Sequence, residues 1–101
     1  MGAEVENLLT KWEEFIVPLR LKDGYSEARL DRLAAALHEC ARVWRTSEFI
    51  PRRAANVLVD IVPVMESMIY AYDGDPLAET IRDAQARLQE AVWECVAINP
   101  E

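Results

Sequence analysis

One histidine, two cysteines and three glycines are all that this chain of 101 residues contains of those types, and each shortage excludes something. His38, Cys40 and Cys95 cannot furnish the four ligands of a structural zinc site, and Ala35 stands where a helical di-metal site needs a glutamate three residues before its histidine. Two cysteines are too few for a disulfide framework and read as small core residues. With so little glycine there is no phosphate-cradling loop and no nucleophile elbow, and no cofactor is expected. Basic charge is also scarce where it would matter for anionic ligands. Residues 60–101 hold nine acids against two bases, which accounts for the whole net charge of −7. Such a chain repels phosphate backbones and anionic lipid, so neither nucleic acid nor membrane is an expected partner. No basic, apolar leader opens the sequence, and no uninterrupted apolar run approaches the roughly 20 residues that span a bilayer. A cytoplasmic protein is the expectation.

What is present is apolar content at helical spacing. Hydrophobic residues make up 51% of the chain, enough for a modest core, and a single helical domain over 1–101 is expected. Val5, Leu8, Trp12, Phe15, Ile16 and Leu19 recur at three and four residues and define a first helix, which Pro18 should end or kink before the Asp23-Gly24 turn. Ser26 is placed to cap a second helix over about 27–45, with Leu30, Leu33, Leu37, Cys40 and Trp44 inward. The third segment, about 51–72, is rich in β-branched residues that would suit a strand. Its polar residues Arg52, Arg53, Asn56, Asp60, Pro63 and Ser67 nevertheless fall in one narrow helical sector, so it reads as a helix, bent by Pro63 near Val59. Asp73-Gly74-Asp75-Pro76 stops that helix and starts a fourth, which runs to about Ile98 with Ile81, Ala84, Leu88 and Cys95 inside; Asn99-Pro100 closes it.

Four helices on short connections imply an all-α, up-down-up-down antiparallel four-helix bundle. The first helix reads as shorter than the rest, which would leave one groove of the bundle partly open; the alternative is a three-helix core with that short first helix docked on it. Catalytic classes find little support in the residues. The Asp73-Gly74-Asp75 turn lacks the ligand spacing of a calcium loop, and His38 reads as a rim histidine paired with a carboxylate or water. Surface is more informative. Trp93 projects about 140° from the inner stripe of the fourth helix, while Trp12 and Trp44 point inward. Val59 and Tyr70 fall on the outer face of the third helix, and Val62 and Ile69 on the margin of an apolar arc wider than a bundle core needs. Arg45, Arg52 and Arg53 gather at the end of the bundle where Val59 and Trp93 should also lie. Aromatic residues with arginine are the enriched anchors of protein interfaces. The sequence therefore points to a non-catalytic protein-interaction or regulatory module, self-associating as a homodimer. The alternative is a small helical enzyme or ligand-binding protein whose arginines converge across a dimer interface.

Overall fold

The computed structural model describes residues 2–98. They form four helices and no strand: α1 Ala3–Arg20, α2 Glu27–Trp44, α3 Arg52–Ala71 and α4 Leu77–Val96. The β-branched run of α3 is helical because its apolar side chains close one continuous face, Ala54, Val57, Leu58, Ile61, Met65, Met68 and Ile69, all buried. A strand over the same residues would have buried one half of them and exposed the other.

The helix ends follow local chemistry. Ser26 accepts the Arg29 amide at 3.1 Å and caps α2, and the Asp75 carboxylate accepts the Leu77 amide at 2.8 Å at the start of α4. Gly74 takes a left-handed φ of 87° between α3 and α4. The end of α1 differs from the expectation. Pro18 neither stops nor shortens the helix, which continues to Arg20 and matches α2 at 18 residues. A proline so close to the last turn deprives only the Glu14 carbonyl of its partner. The exit is then closed by the Asp23 amide on Pro18 O and the Lys22 amide on Leu19 O. This is the double bond pattern that ends helices in a left-handed residue. That residue is Lys22, φ 60°, rather than a glycine. Its ammonium donates to Ala71 O at 2.9 Å and lies 4.8 Å from the centre of the Tyr72 ring, contacts to α3 that help hold a backbone conformation a side chain otherwise disfavours. With α1 at full length, no groove is left open by a short first helix. The closing role expected of Asn99-Pro100 lies outside the described residues; within them, α4 stops at Val96 because Ala97 turns to extended backbone.

Successive helices alternate in direction, and the packing order around the bundle is α1, α2, α4, α3. α1 packs on α2 and α3, and α4 on α2 and α3, while α2 and α3 stand on a diagonal, as do α1 and α4. Two antiparallel hairpins, α1–α2 and α3–α4, therefore lie against each other with α1 parallel to α3 and α2 parallel to α4. Cross-links mark that register: Glu6 with Arg53 at the start of α1 and α3 at 2.6 Å, and Tyr72 OH donating to Leu19 O at 2.7 Å at their ends. His38 Nδ1 pairs with Glu94 at 2.8 Å and Arg87 with Asp31 at 2.7 Å between α2 and α4. One hydrophobic cluster runs through all four helices, from Val5 and Phe15 to Leu88 and Cys95. By length and composition α3 is apolar enough to cross a membrane, with a mean hydropathy of 1.4, yet only 39% of that window is buried in the bundle. The large apolar residues that α3 leaves exposed are Val59 and Tyr70.

Candidate interaction surface

The core stripe of α4 is Ile81, Ala84, Leu88, Ala91 and Cys95, at alternating steps of three and four. Trp93 lies between the last two of these in sequence and so points away from them. It is 59% exposed, whereas Trp12 and Trp44 are in the core and Trp44 also donates its indole N–H to Glu4 at 3.0 Å. On α3 the same geometry leaves Val59 68% exposed. The Gln85 amide fixes how the two helices are aligned, since it donates to Val62 O at 3.2 Å and to Glu66 at 2.9 Å. Counting along both antiparallel helices from that contact brings Val59 to within about one helical turn, roughly 5 Å, of the height of Trp93. Arg52 is exposed on the first turn of α3, opposite the last turn of α4 in this register.

The remaining surface candidates separate. Ile69 is 8% exposed and belongs to the core, because α4 packs over the margin of the α3 arc on which it sits. Val62 is half-buried beside Gln85. Tyr70 is exposed, but it lies at the far end of α3, about 16 Å along the helix from Val59 at 1.5 Å per residue. Arg53 is engaged with Glu6 on the α1 side of α3. Arg45 lines a crevice on the other side of α4, between the ends of α2 and α4, with Trp44, Glu94, Cys95, Ala97 and Ile98. That crevice has a volume of about 290 Å³ and continues into a second hollow of about 340 Å³, whose lining adds Ile50 and Val96.

Four exposed apolar residues at this end were not among the sequence candidates: Val43, Phe49, Val96 and Ile98. Phe49, 80% exposed, sits in the connection between α2 and α3, where helical periodicity says nothing about direction. An aromatic residue in a connection flanked by Ser47 and Pro51 is a compositional signal that would have found it.

The chemistry of the surface is plain. Burial pushes the Cys40 thiol up to about 12 and that of Cys95 up to about 11, so both are protonated at neutral pH and are not activated nucleophiles. Cys95 Sγ donates to Leu37 O at 3.2 Å, which accounts for its polarity inside the core. Among the described residues no three His, Cys, Asp or Glu side chains converge as a metal site. The enzyme alternative needs a concave site with at least two arginines. Arg29 and Arg32 do share a depression between α1 and α2, but with Glu13 and Glu14, which neutralise it for an anionic ligand. Arg52 and Arg53 share another with Glu6, the partner of Arg53. Comparison with protein-family models, with curated proteins and with solved structures returns no match.

Proposed function

We propose that the chain is a non-catalytic protein-interaction module of the cytoplasm that self-associates as a homodimer through the outer surface of α3 and α4. The observation that carries this reading is the pairing of two large exposed apolar side chains, Trp93 at 59% and Val59 at 68%, at one height on adjacent helices. Isolated exposed apolar residues are ordinary on any protein. Two within about one helical turn of each other, on neighbouring helices, are a patch. Burying a tryptophan removes about 150–250 Å² from water, a large share of what an interface anchor supplies.

The test is mass in solution. Light scattering after gel filtration should report twice the chain mass of 11.5 kDa. Trp93→Glu should return the monomer mass with an unchanged far-ultraviolet circular dichroism spectrum. A wild-type protein that stays monomeric up to its highest attainable concentration overturns the homodimer.

A further inference from the structure

The outer face of α4 sets charges of opposite sign at equal distances either side of one residue. Arg82, Ala86, Glu90 and Trp93 follow one another at steps of four, four and three, and all are exposed. Glu79 is exposed one turn before Arg82. Arg82 and Glu90 stand four residues either side of Ala86, and Glu79 and Trp93 seven either side. The other charged residues of the last three turns are spent within the chain, Arg87 on Asp31 and Glu94 on His38, both towards α2. Among the described residues neither Arg82 nor Glu90 has an ion-pair partner, and the Trp93 indole N–H has no acceptor.

We propose that a second copy of this chain packs its α4 antiparallel against this α4 about a twofold axis at Ala86, so that Arg82 meets Glu90 of the partner subunit at two symmetric crossings. The proposal rests on the self-association put forward above and names its geometry. A twofold axis exchanges positions equally far before and after the residue it passes through. Arg82 is thereby set opposite Glu90 of the partner subunit, and Trp93 opposite Glu79 of the partner subunit, whose carboxylate can accept the indole N–H. The methyl group of Ala86 permits the close approach that packed helices need, 8–10 Å between axes. Val59, at the height of Trp93 on α3, widens the contact beyond a single pair of helices. Parallel packing of the same faces would set Arg82 on Arg82 and Glu90 on Glu90, and that repulsion selects the antiparallel mode. A strongly basic partner helix would meet Arg82 on this face, whereas a second copy satisfies both signs.

Sedimentation equilibrium on Arg82→Glu, on Glu90→Arg and on their equimolar mixture tests the arrangement, with circular dichroism to verify folding. Each single variant places like charges at both crossings and should weaken the dimer by at least about tenfold. The mixture should restore affinity to within about threefold of wild type, because in the mixed pair both crossings again join opposite charges. The double variant carrying both changes in one chain should behave likewise. Wild-type dimerisation with single variants within about threefold of it, or a mixture no tighter than its components, overturns the α4 arrangement and leaves self-association through another surface. A monomeric wild type overturns both.

Discussion

Folding holds the Cys40 and Cys95 protons more tightly than the unfolded chain does, and this has a measurable sign. Burial raises the two thiols from an ordinary value of 9.0 to about 12 and about 11. Below pH 9 both states keep the protons and the full contribution to stability is present. Between pH 9 and about 11 to 12 the unfolded chain ionises first, so stability falls as pH rises through that window. Burial and a hydrogen bond to Glu27 raise the Tyr25 phenol, and burial raises that of Tyr72, adding a decline of the same sign at its upper end. Urea midpoints followed from pH 8 to 11 should drop, and Cys95→Ala should flatten the curve while lowering stability at pH 8. At this scale the sequence was legible wherever a residue sat near the middle or the back of a helix's apolar arc. The directions of Trp12, Trp44 and Trp93 follow from their spacing alone. Ile69 could not be assigned that way, since its burial depends on which neighbour covers the edge of the arc.

Capping decides where the elements begin, and α2 gives the clearest case. Removing the Ser26 hydroxyl leaves the Arg29 amide without its acceptor, and Ser26→Ala should cost about 1 kcal/mol, read from the urea midpoint at unchanged slope. The starts of α2, α3 and α4 were close to legible because Ser26, Pro51 and Asp75-Pro76 act through local bonds and fixed dihedral angles. The end of α1 was not. A proline near a helix end can be tolerated or can terminate it, and the choice here belongs to Lys22, whose left-handed backbone is accompanied by contacts to Ala71 and Tyr72 from a distant part of the chain. Sequence at positions 18–24 holds no record of those partners.

In the whole molecule, the alternating directions of the helices were readable from the short connections, but the order in which they pack was not. Residues 45–51 join α2 to α3. Extended, a segment of that length reaches about 23–25 Å, which covers a neighbouring helix at 8–10 Å and equally the diagonal of a four-helix square at about 14 Å. Either arrangement was open to it. The surface was legible only in part for the same reason: Arg45 and Trp93 share an end of the bundle, yet α4 stands between them once α2 and α4 are neighbours.

The diagonal connection divides the chain into two hairpins that meet through side chains and are joined by a strap across one end. Each hairpin is assembled from residues near one another in sequence, and only their mutual face demands the other half. Cutting the strap between Ser47 and Glu48 removes covalent continuity and no helix. The two halves, produced together in one cell, should find each other and copurify as a helical complex of 1:1 composition. A pair of fragments that remain separate and lack helical signal would mean that the strap does more than tether. Fragments that reassemble would show that the face between the hairpins carries its own recognition, so that either half could be tagged, labelled or exchanged separately and the whole rebuilt by mixing.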